Sequence, residues 1–323
     1  MSLRPTDVGH RVVVRRVLTT PSADRPQYGD VLGELIELDA ERQRVVVRTA
    51  AGDTVAVAVA DVVAAKRIPP RRSPRVARID DLELERIASL GWRGLDTAEL
   101  GEWQLRAAGG WTGRANSVLP LGDPGSPLDD ALASVREWYA ARDLPPTIQL
   151  PLPARDDLRR ALAERGWTDR WGALVLVARV RALRAANLSV PGLPPVTVAS
   201  SPDPGWLAAY HYRGGGALPA VAQEVLRSGT APGFVALRLD GAPVAICRLA
   251  LDEGWVGITA VEVDPAHRRR GLATHLLAGA VEYAAEHGAE GVYLQVDSDN
   301  AGALAMYEKL GFTHHHTYRY YRP

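Results

Sequence analysis

Residues 254–273 of the chain read GWVGITAVEVDPAHRRRGLA, and this stretch decides the fold. Residues 254–263 are rich in β-branched side chains, which is typical of a strand. The pair Asp264-Pro265 breaks that pattern. Apolar residues then recur at helical spacing over residues 272–280, so a helix begins there. The stretch therefore predicts a strand, a tight turn and a helix in immediate succession.

A strand that enters a helix through a glycine turn makes an anion-binding site. The first-turn N–H groups of a helix lack partners, and the helix dipole adds positive potential at that end. Gly271 lets the backbone approach a ligand closely, and Ala273 leaves room for it. Arg268, Arg269 and Arg270 add positive charge. The turn lacks the Gly-Lys-Ser/Thr ending of a P-loop and the three glycines of a dinucleotide fold, so it belongs to neither class.

The stretch resembles the GCN5-related N-acetyltransferase (GNAT) family. The family signature is Gln/Arg-x-x-Gly-x-Gly/Ala between a strand and a helix, and Arg268-x-x-Gly271-x-Ala273 fits it. Further features follow in the family order: a strand at 291–296, Asn300, a helix that contains Tyr307, and Gly311-Phe312. The resemblance is strong over residues 233–312, and it implies an α/β fold with a mixed central sheet.

The resemblance also implies acetyl-CoA as the co-substrate and N-acetyl transfer as the reaction. In the family, the backbone of the strand hydrogen-bonds the pantetheine arm, the turn holds the pyrophosphate, and the helix tyrosine protonates the leaving thiolate. That last role corresponds here to Tyr307. The residues implied in cofactor binding are Val261, Val263, Arg268, Arg269, Arg270, Gly271, Leu272, Ala273, Thr274 and Asn300.

The general base that takes a proton from the amine is less well defined. Several protein-acetylating relatives carry a glutamate six positions before the last valine of the strand, where this chain has Gly257. Glu262 is the nearest carboxylate, although strand alternation predicts it on the face opposite Thr259. Glu224, in a helix predicted over Pro219–Arg227, is the other candidate.

The rest of the chain predicts further domains. Short valine-rich runs separated by turns, ending in a helical turn at Asp61-Val62-Val63, predict an SH3-like β-barrel over residues 1–69. Residues 70–78 form a basic, proline-rich linker, which is either a solvated tether or a phosphate-attracting strip. The fold class is therefore α+β, with the barrel placed before the GNAT-like part.

Residues 79–185 resemble a degenerate copy of the catalytic domain at residues 190–323. Three short motifs recur in order at offsets of 144 to 146 residues: Tyr139-Ala140-Ala141 with Tyr283-Ala284-Ala285, Ile148-Gln149-Leu150 with Leu294-Gln295-Val296, and Arg165-Gly166-Trp167 with Leu310-Gly311-Phe312. The predicted elements of the copy are helices at 82–90, 128–142 and 155–165 and strands at 103–106, 147–150 and 174–178. Leu162 stands at the place of Tyr307 and no signature precedes the helix at Leu128, so we expect this copy to bind no acetyl-CoA.

Composition excludes several function classes. Lys plus Arg and Asp plus Glu number 38 each, which argues against a nucleic-acid or membrane binder. The single cysteine, Cys247, lies in an apolar run and is expected to be a buried, inert thiol. Residues 1–5 carry no apolar signal core, so we expect a cytoplasmic protein. The sequence leaves the oligomeric state open.

The acceptor is predicted from the group resemblance. Some actinobacterial acetyltransferases carry a barrel and a degenerate half before the active half, and they are described as N-acetylglutamate synthases or as histone-acetyltransferase-like. A small amino acid such as glutamate is therefore the leading acceptor, a protein lysine is the alternative, and a non-catalytic acetyl-CoA-binding protein is the third hypothesis. An acidic acceptor needs arginines for its carboxylates. The candidates are Arg114, Arg213, Arg248 and Arg319.

Other polar and aromatic residues are candidates for the acceptor side. They are the loop Gly109–Asn116, the residues Trp206, Tyr210, His211 and Tyr212 on one predicted helix, and Tyr318 and Tyr320. His314 and His316 share a strand face, but the sequence identifies no third ligand, so we predict no metal site.

Overall fold

The computed structural model describes residues 3–4, 7–8, 11–18, 27–39, 43–49, 54–67, 79–211 and 218–323. It divides into two compact units, Met1–Pro74 and Arg75–Pro323, each with its own core. The predicted linker at residues 70–78 lies outside the described residues, and its role stays a prediction. Among the residues that the structure describes, no helix combines the length and the apolar character needed to span a membrane.

The N-terminal unit is a five-stranded antiparallel sheet. Its strands are β1 (Arg11–Leu18), β2 (Gln27–Asp39), β3 (Arg44–Thr49), β4 (Thr54–Ala58) and β5 (Val62–Arg67), in the order β4-β3-β2-β1-β5. Valines on the inner face, such as Val12, Val14 and Val45, form its core. The predicted helical turn at residues 61–63 is wrong in position. A single 3-10 turn covers Val59–Asp61, and Val62 already begins β5 because two successive valines favour the extended chain beside β1.

The C-terminal unit is built on one eight-stranded sheet and a smaller three-stranded one. The strands are β6 (Asp96–Leu100), β7 (Trp103–Ala107), β8 (Leu119–Pro120), β9 (Ile148–Leu152), β10 (Thr168–Arg179), β11 (Thr197–Ala199), β12 (Gly233–Leu239), β13 (Ala242–Asp252), β14 (Trp255–Val263), β15 (Gly291–Asp297) and β16 (Thr313–Arg322). The large sheet has the order β11-β12-β13-β14-β15-β10-β16-β9, and β6-β7-β8 form the small one. Only the β14–β15 pair of the large sheet is parallel, which confirms the predicted mixed sheet.

Helices pack on this sheet and between the strands. They are α1 (Asp81–Gly91), α2 (Leu128–Ala140), α3 (Asp156–Ala163), α4 (Val180–Ala185), α5 (Pro204–Ala209), α6 (Ala220–Arg227), α7 (Leu272–Glu286) and α8 (Ala301–Lys309). The helices predicted near 82–90, 128–142, 155–165 and 219–227 are confirmed within a few residues at their ends. Leu276, Leu277 and Ala280 of α7 are buried against the sheet, as their spacing predicts.

The two halves of this unit exchange their last strands. Strand β10, which ends the first half, lies between β15 and β16 of the second half. Strand β16, which ends the second half, pairs with both β10 and β9. Because β10 and β16 are neighbours in the sheet and run antiparallel, each half ends on a strand that pairs with a strand of the other half. The boundary between the two copies, between residues 185 and 190, stays a prediction. Strands of both copies lie in one eight-stranded sheet.

Candidate active site

A cleft opens where β14 and β15 separate. The two strands pair in parallel only from Trp255 to Ile258 and from Gly291 to Leu294. Beyond these residues, the edge of β14 that faces β15 has no strand partner among the residues that the structure describes, so its backbone groups are available to a ligand. The resulting cleft has a volume of about 780 Å³, and it reaches the start of α7 and one side of α8.

Most of the predicted site residues line this cleft. They are Val261, Glu262, Val263, Arg268, Arg269, Gly271, Leu272, Ala273, Thr274, Asn300 and Tyr307. Arg270 is exposed and lies outside the lining. The fold thus brings together residues that are up to 46 positions apart in the chain. Their roles in binding and catalysis stay predictions.

The turn before α7 leaves the helix start open to a ligand. Gly271 is the N-cap residue with a φ of 78°, a left-handed conformation that glycine adopts at no steric cost, and no side chain caps the helix. The amides of Leu272, Ala273 and Thr274 are therefore the unsatisfied first-turn donors. Acidic residues are absent from this turn, and the exposed side chains of Arg268 and Arg269 lie beside it. These features fit a pyrophosphate group.

Tyr307 lies at the inner side of the cleft. Its side chain is 5% exposed, and its ring packs against Phe312 with the centroids 5.5 Å apart. Burial raises the pKa of the Tyr307 phenol, with a further contribution from the neighbouring Cys247. The phenol therefore keeps its proton at neutral pH, as a general acid requires. Cys247 is fully buried, and burial raises the pKa of its thiol too, so the expected inert thiol agrees with its environment.

A β-bulge changes the position of Glu262. Thr259 pairs with Arg248 and Glu262 pairs with Ile246, so the single residue Cys247 lies opposite both Ala260 and Val261. Ala260 has a φ of 51°, as the first residue of such a bulge can have. Directly paired residues share a sheet face, and so do residues two apart, so Glu262 lies on the same face as Thr259. The predicted opposite face is therefore wrong, because the extra residue reverses the alternation.

The surroundings of Glu262 suit a general base. The carboxyl group is half-buried, and desolvation raises its pKa, against the opposing effects of His211 and Arg268. The backbone of His211 also opposes the rise in the pKa of this carboxyl group. A glutamate with a raised pKa is a better proton acceptor than a solvated one. Glu224, the other candidate, is exposed on α6 and lies outside the cleft lining.

Tyr293 explains why position 257 carries no glutamate. A Cβ atom placed on Gly257 would lie 2.2 Å from the Tyr293 hydroxyl oxygen, so the tyrosine fills the space of any side chain there. The Tyr293 ring is itself buried beside Trp255. Sequence reasoning missed this residue because Tyr293 is on the next strand, and its only signal is a tyrosine opposite a strand glycine.

Two arginines lie on the face of β14 that carries Thr259 and Glu262. The guanidinium carbons of Arg114 and Arg248 lie 4.7 Å and 5.1 Å from the Trp92 ring centroid. Arg114 hydrogen-bonds the amide oxygen of Gln295, which lines the cleft. Arg248 is fully buried; its Nε donates to the Leu226 carbonyl at 2.6 Å and its Nη2 to the Ser228 carbonyl, whereas its Nη1 has no partner within the described part of the chain. Burial lowers the pKa of Arg248 to about 10, which still leaves it charged.

The other residues predicted on the acceptor side lie away from the cleft or outside the described residues. Tyr318 and Tyr320 are buried beneath α1 and do not line the cleft. Arg319 forms an ion pair with Asp169 at the surface. Arg213 and Tyr212 lie outside the described residues.

The predicted helix through residues 206–212 is wrong. Helix α5 ends at Ala209, so Trp206 lies in the helix and Tyr210 follows it. Tyr210 has a β-region conformation that ends the helix. Tyr210 still packs against Trp206, with ring centroids 5.8 Å apart.

The loop Gly109–Asn116 is held from within by Asn116. The amide oxygen of Asn116 accepts hydrogen bonds from the N–H groups of Ala108 and Gly110, and its nitrogen donates to the Thr112 carbonyl. This network fixes the loop that carries Arg114. The degenerate half therefore supplies one of the two arginines.

The histidine run differs from its prediction. The pair that comes together is His315 with His316, and Asp81 of α1 lies beside both. His314 is exposed, and its Nε2 lies 3.1 Å from the Thr317 hydroxyl. Asp81 precedes the run by more than 230 residues, so sequence reasoning had no signal that could find it.

Comparisons with known proteins agree with this architecture. The family model described as "Probable histone acetyltransferase Rv0428c C-terminal" matches residues 79–321, and "Rv0428c N-terminal Sm-like domain" matches residues 6–66. The small β-unit that the sequence predicts as SH3-like is thus of the Sm-like type.

Two relatives and one solved structure illustrate the similarity. "Probable histone acetyltransferase Rv0428c" of Mycobacterium tuberculosis is 31% identical, over 97% of this chain and 94% of that protein. "Uncharacterized N-acetyltransferase YobR" of Bacillus subtilis is 24% identical, over 73% of this chain and 96% of that protein. A solved "GCN5-related N-acetyltransferase from Kribbella flavida" is 22% identical, covers 76% of this chain and 96% of its own, and has the same fold at a TM-score of 0.56.

Proposed function

The chain belongs to the Rv0428c family of GNAT N-acetyltransferases, and we propose that its acceptor is a small amino acid such as glutamate. GNAT acetyltransferases use acetyl-CoA. We further propose that the cleft between β14 and β15 holds this co-substrate. The open start of α7 with its unsatisfied amides and neighbouring arginines supports that placement.

The proposed reaction is a direct transfer. The neutral amine attacks the thioester carbonyl, a C–N bond forms, and the C–S bond breaks. Glu262 takes the proton that the amine loses, either directly or through a water molecule. Tyr307 gives its proton to the departing sulfur, so coenzyme A leaves as a thiol. The raised pKa of Tyr307 keeps its phenol protonated for donation to the sulfur, and the raised pKa of Glu262 makes its carboxylate a stronger proton acceptor.

The pair Arg114 and Arg248 is the observation that carries the acceptor proposal. Two guanidinium groups beside one Trp92 ring, one of them with a nitrogen that has no partner among the described residues, concentrate positive charge on the face of β14 that bears Glu262. A carboxylate is the group that compensates such charge most strongly. A glutamate bound there by its carboxylates would direct its amine toward the cleft.

An acetyl-CoA consumption assay with matched acceptors tests this proposal. We expect turnover with glutamate, and at least ten-fold lower kcat/KM with glutamine and with 4-aminobutyrate, which each lack one carboxylate. The Arg114→Gln variant should lower kcat/KM for glutamate at least ten-fold. Turnover of a lysine peptide without turnover of free amino acids would overturn the proposal. That outcome would favour a protein lysine acceptor, which the name of the Mycobacterium tuberculosis relative suggests.

A further inference from the structure

A bulge in β16 brings two adjacent histidines to one place. In the pairing with β10, His314 lies opposite Leu176 and His316 lies opposite Val175, so His315 is an extra residue in the ladder. Neighbouring side chains in a regular strand point to opposite faces, but a bulge re-aims one of them. The Nδ1 atoms of His315 and His316 consequently lie 2.8 Å apart.

A carboxylate from the beginning of α1 completes this cluster. Oδ1 of Asp81 lies 3.5 Å from Nδ1 of His315 and 3.9 Å from Nδ1 of His316. The His316 side chain is fully buried, whereas those of His315 and Asp81 are 17% and 20% exposed. The cluster thus has a closed side and an open side.

The outer nitrogen of each ring faces a hydrogen-bond acceptor. Nε2 of His315 lies 3.0 Å from the carbonyl oxygen of Ile79, which can only accept. Nε2 of His316 lies 3.0 Å from Oε1 of Glu85, and the other oxygen of Glu85 accepts from the Gln149 amide. Both neutral rings therefore carry their hydrogen on Nε2.

This arrangement leaves both Nδ1 atoms as lone-pair donors. Two lone pairs at 2.8 Å, with a carboxylate oxygen next to them, repel one another, and either an added proton on one Nδ1 or a metal ion between the rings removes this repulsion. Histidine ligands of metal ions characteristically donate the second ring N–H to a carboxylate or to a backbone carbonyl. Glu85 and the Ile79 carbonyl are groups of those two kinds.

We propose that Asp81, His315 and His316 bind one divalent transition-metal ion, and that zinc fits best. Two imidazoles and one carboxylate are a common zinc ligand set, with Zn–N bonds of about 2.0–2.1 Å. Tetrahedral zinc places its ligand atoms about 3.4 Å apart, and the observed separations of 2.8, 3.5 and 3.9 Å lie on both sides of that value. The partly exposed side leaves room for a water as the fourth ligand. The ion would link α1 to β16, the last strand in the chain.

Metal binding by the purified full-length chain tests the proposal. The protein carries a histidine-free affinity tag, is stripped with a chelator, and is then titrated with Zn²⁺ in a calorimeter while metal content and Tm are measured. We expect one zinc per chain and a higher Tm with zinc. Cobalt(II) in place of zinc should give the intense visible absorption of a tetrahedral site. Lack of stoichiometric binding of both ions would overturn the proposal.

Three variants assign the ligands. His315→Ala and Asp81→Asn should weaken zinc binding at least ten-fold and remove the zinc-dependent rise in Tm. His314→Ala is the matched control, because this exposed neighbour lies outside the cluster, and it should bind zinc like the parent chain. Unchanged affinity in both His315→Ala and Asp81→Asn would overturn the assignment. All of these readouts are independent of acetyl transfer, so they do not depend on the proposed acceptor.

Discussion

The two halves of the C-terminal unit share one order of elements, but the described residues of their parallel strands differ: those of the second half separate to form the cleft. In the second half, β14 has nine residues and separates from β15 after four pairs. In the first half, the corresponding β8 has only two residues, and a single bridge from Val118 to Ile148 joins its segment to β9. The same fold therefore supports two different local structures at equivalent places.

One arginine closes the equivalent place in the first half. Arg155 stands at the residue before α3, where the second half has Asn300 before α8. The Arg155 guanidinium donates to the carbonyls of Pro120 at 3.0 Å and Gly122 at 2.8 Å, so it bridges the segment after β8. Asn300 instead accepts from the Ala303 amide and lines the cleft.

The helix that follows each strand begins differently. Helix α2 follows Pro127 and has Asp129 and Asp130 in its first turn, so its own acids compensate the positive end of the helix dipole. Helix α7 follows Gly271 and has Ala273 and Thr274 at those positions. The first half thus satisfies its helix start from within, whereas the second half leaves that potential to a ligand.

A few local residues distinguish the two halves at their equivalent places. Leu162, at the place of Tyr307, is fully buried and supplies only packing. The loop Gly109–Asn116 of the first half still contributes Arg114 to the second half. The first half therefore contributes to a neighbouring site, and we expect it to bind no acetyl-CoA itself.

The largest effect is expected from Tyr307→Phe, which gives the second half an apolar residue like Leu162. Loss of the proton donor should lower kcat about 100-fold, with little change in the KM for acetyl-CoA. Steady-state kinetics measure both parameters. Tyr283→Phe, the same change at another helix tyrosine, is the matched control and should keep normal kinetics. An unchanged kcat across pH for Tyr307→Phe would remove this residue from the mechanism.

A smaller effect, on acetyl-CoA binding, is expected when Asn300 is replaced by arginine, the residue type that the first half has at the equivalent Arg155. Asn300→Arg should weaken acetyl-CoA binding at least ten-fold, which is about 1.4 kcal/mol. The control Asn300→Ala removes the helix cap without adding an arginine, and it should weaken binding less.

The reciprocal variant, Arg155→Asn, should leave the stoichiometry at one acetyl-CoA per chain, because Asp129 and Asp130 remain at the start of α2. Isothermal titration calorimetry measures affinity and stoichiometry together. Binding of two acetyl-CoA molecules by the parent chain would contradict the expected difference between the halves.

The smallest effect is expected from Glu262→Gln, at about ten-fold in kcat/KM near neutral pH. The base must be ionised, so activity falls as the pH drops through its pKa. Desolvation raises the pKa of Glu262, so this loss begins at a higher pH than for a solvated glutamate. The variant should lack this acid limb in a pH–rate profile, whereas the exposed control Glu224→Gln should retain it. An unchanged acid limb in Glu262→Gln would assign the limb to another group.

The sequence alone determined the features that depend on neighbours in the chain. The strand, turn and helix over 254–273 follow from residue spacing and from Gly271, whose backbone freedom the turn requires. The repeated motifs predict two copies, because each copy must form the same local elements. Most of the predicted cofactor residues line one cleft because they follow one another along the end of β14, the turn and the start of α7, whereas Asn300 reaches it from the start of α8.

Only the tertiary structure decided the features that depend on residues far apart. The bulge at Ala260 reverses the face of Glu262, and it is visible only in the pairing with β13. Tyr293 excludes a side chain at Gly257, and Asp81 meets His315 across the chain. The exchange of β10 and β16 could not be predicted from the sequence either, because an antiparallel strand satisfies its hydrogen bonds equally well beside either copy. Local spacing fixes which elements form, whereas packing selects their partners.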